Sequence, residues 1–103
     1  MRRLAVRFRE EAIADLTEIL DHLISEGAGQ GTALGFIGRI QEKCETIGGL
    51  PEGYPARPDL GPGIRIAGFE RSAVIAYRLH DETVEIVNVF YGGRDYEALM
   101  RPD

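Results

Sequence analysis

Hydrophobic and polar positions change period several times along this chain, and each change marks an element. Leu4, Val6 and Phe8 are apolar and alternate with Ala5 and Arg7, the period-two pattern of a short strand with one buried face. From Glu10 to Glu26 the apolar residues fall at Ile13, Leu16, Leu20, Leu23 and Ile24, with Ile19 beside them. At about 100° per residue they fill a stripe roughly 140° wide, which predicts an amphipathic helix. Glu11, Asp15, Glu18, His22, Ser25 and Glu26 take its other side. Glu10 and Glu11 suit the positive end of the helix dipole, and Gly27 is a natural stop. "GAGQG" reads as a flexible turn. A second helix is expected from about Thr32 to Ile47, with Ala33, Phe36, Ile37, Ile40, Cys44 and Ile47 on one face. Gly35 and Gly38 weaken it by about 1 kcal/mol each relative to alanine, so tertiary packing must hold it.

From Gly48 to Gly63 the chain reads "GGLPEGYPARPDLGPG", with four prolines and five glycines in sixteen residues. That composition predicts a loop, and a loop this long is usually functional or mobile. Three strands follow: Ile64 to Ala67, Ala73 to Leu79, and Val84 to Tyr91. The middle one places Ile75, Tyr77 and Leu79 on one face and Val74, Ala76 and Arg78 on the other. The last is apolar on both faces except for Glu85 and Asn88, which suits a central strand. "GFERS" and "HDET" are the connecting turns. The order β-α-α-β-β-β, with a short C-terminal helix, predicts an α+β fold. In it a helical hairpin packs on one face of a small, mainly antiparallel sheet.

The length of 103 residues makes one domain, 1–103, the expectation, and 44% apolar residues suffice for one core. No apolar run approaches the roughly 18 residues of a membrane span. The start Met1-Arg2-Arg3 is basic, but polar residues follow within a few positions and no apolar h-region is seen, so no secretory leader and a cytoplasmic location are expected. Cys44 is the lone cysteine, so no internal disulfide can form, and with only His22 and His80 no zinc site of the usual spacing is present. No cofactor is expected. The net charge of −5 argues against holding nucleic acid by its phosphates. Eleven of the twelve basic residues are arginine, with Lys43 the exception.

The segment "YGGRDYEALM" turns at Gly92 and Gly93 as the last strand ends. Asp95 is placed to cap a helix from Tyr96 to Met100, with Glu97 in its first turn. Arg94 has no such local duty. It projects from the end of a central strand, where an ion pair or a partner contact would account for it. Cys44, on an apolar helix face, and Tyr77, in mid-strand, read as core. Tyr54 would pack the proline-rich loop down, and Lys43 and the acidic run of the first helix read as solvated surface.

The whole chain resembles the ParE toxins of the RelE/ParE superfamily, the toxins of bacterial type II toxin–antitoxin modules. The resemblance runs through "EEAIADLTEILDHLI", "ALGFIGRIQEKCETIGGLP", "GIRIAGFERSAVIAYRL" and above all "VEIVNVFYGGRDYEALM". It implies two helices against a twisted sheet. It also implies a cognate ParD-like antitoxin, whose C-terminal segment wraps the toxin, and DNA gyrase as the target. On this resemblance no direct binding of DNA by this chain alone and no membrane partner are expected.

The superfamily holds two activities of different chemistry. RelE-like members cut messenger RNA on the ribosome, whereas ParE-like members inhibit gyrase by binding. RNA cleavage needs a base for the 2′-hydroxyl, charge stabilisation at phosphorus and an acid for the leaving oxygen. The candidates here are Arg65, Arg71, Arg78, Arg94 and Tyr96, joined by no histidine or lysine in the sequence pattern. His22 falls on a polar helix face and His80 in a turn. Arginine stays protonated and makes a poor base. With the negative net charge, this favours gyrase inhibition over cleavage, and a module that only binds its antitoxin is the third reading. Arg65, Arg71, Arg94, Asp95 and Tyr96 are the expected partner-binding residues, the arginines pairing with acidic side chains of the antitoxin.

Overall fold

A computed structural model describes residues 3–101 of the chain. Met1 and Arg2, part of the basic start, lie outside the described residues. The elements are β1 (Ala5–Phe8), α1 (Glu10–Ser25), α2 (Gln30–Gly49), β2 (Arg65–Phe69), β3 (Ala73–His80), β4 (Thr83–Tyr91) and α3 (Tyr96–Met100), with a 3₁₀ turn at Pro58–Leu60 in the long loop. The strands lie in the order β1-β4-β3-β2. β1 runs parallel to β4, and the other two pairings are antiparallel. The expected α+β order is therefore observed, with β4 central.

The helices cover one face of the sheet. Ala12, Leu16 and Ile19 of α1 and Ile40, Cys44 and Ile47 of α2 pack with Ala67, Ile75, Tyr77, Val84, Ile86 and Val89. The buried stripe of α1 is rotated from the expected one: Ile13 and Ile24 are 53% and 41% exposed. The small side chain of Ala12, wholly buried, lets the helix approach β4, and a count of large aliphatics overlooks it. Cys44 is fully buried, and burial pushes its thiol up to about 12. Tyr77 is buried as well; its hydroxyl donates to the Pro51 carbonyl at 2.7 Å, and its ring meets Tyr54 edge-on. Lys43, read as free surface, donates to the Tyr54 hydroxyl at 2.7 Å. The loop is thus anchored to the core by Tyr54.

α2 runs two residues past its expected end, through Gly48 and Gly49. The reason is a close approach. A Cβ on Gly48 would lie 2.7 Å from the Leu4 carbonyl oxygen, and the Leu4 N–H donates to the Gly48 carbonyl at 2.9 Å. Glycine here lets the helix backbone touch the start of β1.

The pairing of β3 with β4 slips once: Ala76 lies opposite Asn88 and Tyr77 opposite Ile86, so Val87 is extra. This bulge reverses the in–out alternation of β4 and lets Ile86 and Val89 both face the helices. Leu79, expected inside, is 39% exposed near the far turn. β1 covers only the first half of β4, ending where Phe8 meets Ile86. Beyond it the Val89 N–H would be open. The Asp15 carboxylate accepts this N–H at 2.9 Å and the Asn88 side chain at 2.9 Å. Asp15, which the pattern assigned to a solvated face, completes the edge of the central strand.

On the back face, Glu85 of β4 is buried between two arginines. Arg7 of β1 reaches it at 3.0 Å and Arg78 of β3 at 2.8 Å. The Arg78 hydrogen bond, then that from Arg7, holds the Glu85 carboxyl below the usual carboxylate range against the opposing effect of burial. Two outcomes are expected. Gly48→Ala raises helix propensity yet destabilises the fold by about 1–3 kcal/mol through backbone overlap, read by denaturant unfolding. The Glu85 clasp contributes stability above the ordinary carboxylate pKa and loses it as pH falls through the lowered one. The stability deficit of Glu85→Gln is therefore largest near neutral pH and closes as pH drops below about 4, as chemical denaturation across pH will show.

Candidate functional site

The five arginine and tyrosine candidates do not gather at one place. Arg65 sits opposite Tyr77 and so faces the helix side. Its guanidinium donates to the Tyr54 carbonyl at 2.6 Å and reaches the Glu52 carbonyl at 3.4 Å. It staples the loop. Arg78 lies on the opposite face and belongs to the Glu85 clasp. Both cations have structural partners.

Arg71, Arg94 and Tyr96 meet at the other end of the sheet. The turn Glu70-Arg71 joins β2 to β3, with both residues in left-handed conformation (φ 49° and 58°), closed by the Ser72 N–H donating to the Phe69 carbonyl at 3.1 Å. Beside it β4 ends, and Gly92 and Gly93, each at φ 75°, swing the chain away to present Arg94. Between them lies an open hollow of about 550 Å³. Gly68, Val74 and Phe90 form its floor, Tyr96 one wall, and Arg71 and Arg94 its rim. The Tyr96 ring packs on Phe90 with centroids 6.0 Å apart. Asp95 is drawn off to α3, where its carboxylate accepts the Ala98 N–H at 3.1 Å, the cap the pattern predicts.

The electrostatics of this end follow from one pairing. Glu70, the carboxylate on the hollow's edge, is held bidentate by Arg39 of α2 at 2.9 and 3.2 Å. That hydrogen bond keeps the Glu70 carboxyl below its usual range. Arg39 therefore neutralises the acid that would otherwise answer Arg71. Neither Arg71 nor Arg94 has a side-chain hydrogen bond or ion pair among the described residues, and both are exposed. A chain of net charge −5 thus carries two uncompensated guanidinium groups over an apolar floor. Such a rim recognises carboxylates or phosphates, bidentately where geometry allows.

Arg94 also borders a smaller recess on the α1 side, of about 290 Å³, with Glu18, His22 and Tyr91. The His22 ring lies edge-on to Tyr91 at 5.8 Å. His22 is exposed, as the helix pattern requires, but its nearness to Arg94 was not visible in the sequence because 72 positions separate them. Among the described residues no group of three or more His, Cys, Asp or Glu side chains is arranged to hold a metal ion, and no helix is long and apolar enough to cross a membrane.

The model of the ParE toxin of the type II toxin–antitoxin system parDE matches residues 6–96, from β1 to the first residue of α3. The chain belongs to the ParE toxin family. Among solved structures, this ParE-family chain is similar to one from the chromosomal ParDE toxin–antitoxin system of P. aeruginosa, at 23% identity and a TM-score of 0.75. That alignment covers 86% of this chain and 96% of the other. It is also similar to one from the toxin–antitoxin complex RelBE2 of Mycobacterium tuberculosis, at 22% identity and a TM-score of 0.65, covering 88% and 100%. These likenesses establish a shared fold. No curated protein matches the chain.

The left-handed conformation of Arg71 costs a residue with a Cβ about 1–2 kcal/mol. Arg71→Gly is therefore expected to raise stability, by about 1 kcal/mol after the entropy of glycine is counted, while removing one of the two rim cations. Thermal unfolding reads the first effect. A weaker, less salt-dependent interaction with an acidic partner reads the second.

Proposed function

We propose that this ParE-type toxin acts by docking rather than by turnover: it inhibits DNA gyrase and is held inactive by a ParD-like antitoxin. In this reading the hollow between Arg71, Arg94 and Tyr96 is the partner-binding site, and an acidic stretch of the antitoxin occupies it. The uncompensated pair Arg71 and Arg94 carries the reading. Guanidinium groups remain protonated at any physiological pH, so they bind anions well and transfer protons poorly. Arg65 and Arg78, which a cleavage site on the sheet would need, are committed to the loop and to Glu85 on opposite faces. The Arg39–Glu70 pair takes the nearest carboxylate out of proton transfer at neutral pH. The antitoxin segment would be disordered when free and would order on binding.

A RelE-like ribosome-dependent endoribonuclease is the second reading, and His22 favours it. Histidine is the side chain most often used as a general acid or base. This one shares a recess with Arg94, where a phosphate could be held.

Two assays separate the readings. Purified chain is added to a gyrase supercoiling reaction, and transcripts are followed after induction without antitoxin. Inhibition of supercoiling that falls at least tenfold in Arg94→Ala, with no transcript cleavage, is the expected result. Cleavage that disappears in His22→Gln, with supercoiling untouched, would replace docking by catalysis. Arg94 is exposed and makes no described side-chain bond, so its replacement is expected to leave the melting temperature unchanged.

A further inference from the structure

The rim of the hollow owes its charge to a residue outside it. Among the described residues that line the hollow, Glu70 is the only acid. It precedes Arg71 in the turn and borders the same space as Arg94. A free carboxylate in that position would be the nearest anion for either guanidinium. Because it is tethered, it would compete at a high effective concentration with any segment arriving from solution.

The carboxylate is instead turned aside. Arg39 of α2 takes both of its oxygens, through Nε at 2.9 Å and Nη2 at 3.2 Å. Arg39 is itself held on an aromatic platform. Its guanidinium lies 5.5 Å from the centre of the Phe36 ring, one turn back on the same helix. Phe36 packs against Phe69 at 5.8 Å and Tyr91 at 5.5 Å. These two are the last residues of β2 and β4. The platform is therefore pinned to the strand ends from which Arg71 and Arg94 are presented. A planar guanidinium can stack on a ring and grip two oxygens in one fork, which a lysine cannot do. Arg39 and Glu70 are both half-exposed, so their pair adds little to stability. Its consequence lies in the charge of the hollow. With Glu70 held aside, the rim carries two unanswered positive charges; with Glu70 released, it carries one.

Resting on the reading that this hollow takes an acidic partner segment, we infer that Arg39 is a positioning residue of the site: by holding Glu70 aside it keeps both Arg71 and Arg94 open, and so selects a segment with two neighbouring carboxylates over one with a single carboxylate. Arg39 acts through Glu70 and not by contact with the partner. A segment with one acid answers one guanidinium. A segment with two answers both, and each pairing can take the bidentate form that Arg39 makes with Glu70.

The test titrates the full chain at low ionic strength with two capped peptides. One carries two adjacent glutamates, and in the other the second glutamate is replaced by glutamine. The side-chain NMR signals of Arg71 and Arg94 report binding at the rim. The wild-type chain is expected to prefer the two-glutamate peptide by roughly fivefold, about what one well-placed exposed ion pair contributes. Arg39→Gln loses most of that preference with little change in melting temperature, and the further change Glu70→Gln restores it. Glu42, also on α2 and near enough to act on Arg39, is the control. Arg39→Gln with Glu42→Gln has the wild-type net charge yet does not recover the preference, because Glu70 still occupies the rim. Suppose instead that Arg39→Gln keeps the preference, or that Glu42→Gln rescues it as well as Glu70→Gln does. Then Arg39 has no positioning role, and acidic docking stands if Arg94→Ala still weakens binding. If neither peptide moves the Arg71 and Arg94 signals, or if Arg71→Ala and Arg94→Ala bind like the wild-type chain, the docking reading falls and the role of Arg39 falls with it.

Discussion

The whole arrangement depends on keeping β4 satisfied along its length while it is buried on both faces. A central strand cannot leave polar groups open in the core, because each would cost more than a hydrogen bond returns. Three devices meet this constraint. β1 pairs the first half of β4, Asp15 takes the Val89 N–H where β1 has ended, and the bulge at Val87 keeps Ile86 and Val89 both turned to the helices. The one carboxylate on the strand, Glu85, is buried only because arginines from both neighbouring strands meet it. Fixed in this way, β4 delivers Gly92, Gly93 and then Arg94 at a defined point, at the end of the sheet where the β2–β3 turn also arrives. Position and exposure of the candidate site are consequences of the central strand.

Arginine dominates the basic residues, and its meaning differs at each place. At Arg65 and Arg57 it ties the long loop down: Arg65 bonds loop carbonyls, and Arg57 bonds Asp59 at 2.9 Å and Glu97 of α3 at 2.6 Å. At Arg7 and Arg78 it offsets a buried carboxylate. At Arg39 it silences Glu70. Only after these pairings are assigned do Arg71 and Arg94 stand out among the candidates. Net charge describes the average field, whereas recognition depends on which charges have been answered nearby. A chain acidic overall can therefore still present two uncompensated guanidinium groups at one end of its sheet.

Much of the fold was legible in the sequence because strong periodicities were present. The face of α2 from Ala33 to Ile47, the Asp95 cap and the apolar run of β4 each rest on one local pattern that tertiary structure did not overrule. What was hidden depends on distance or on small residues. The rotation of α1 turns on Ala12, which carries little hydrophobic weight. The extension of α2 turns on Gly48, which reads locally as a breaker and is required only because β1 lies against it. The site divided in the same way. The two glycines before Arg94 marked it as presented, but the split of Arg65 and Arg78 to opposite faces followed from pairing with Tyr77 and Glu85. Nothing local linked His22 to Arg94 or Asp15 to Val89.

Backbone strain by itself does not mark the site, and the two hairpins make this clear. Asp81 and Glu82, joining β3 to β4 at the opposite end, have φ of 50° and 59°, almost the values of Glu70 and Arg71. Both turns bear the cost of left-handed residues with side chains. A two-residue hairpin demands that geometry for the strands to keep their twist, so the far turn is explained by connectivity alone. What separates the near turn is its setting. Arg39 removes Glu70 from competition, β4 brings a second guanidinium alongside, and the missing side chain of Gly68 leaves the hollow open between them. The left-handed turn fixes where the Arg71 backbone stands at the end of the sheet, beside the hollow. The same torsion angles thus serve closure at one end of the sheet and presentation at the other.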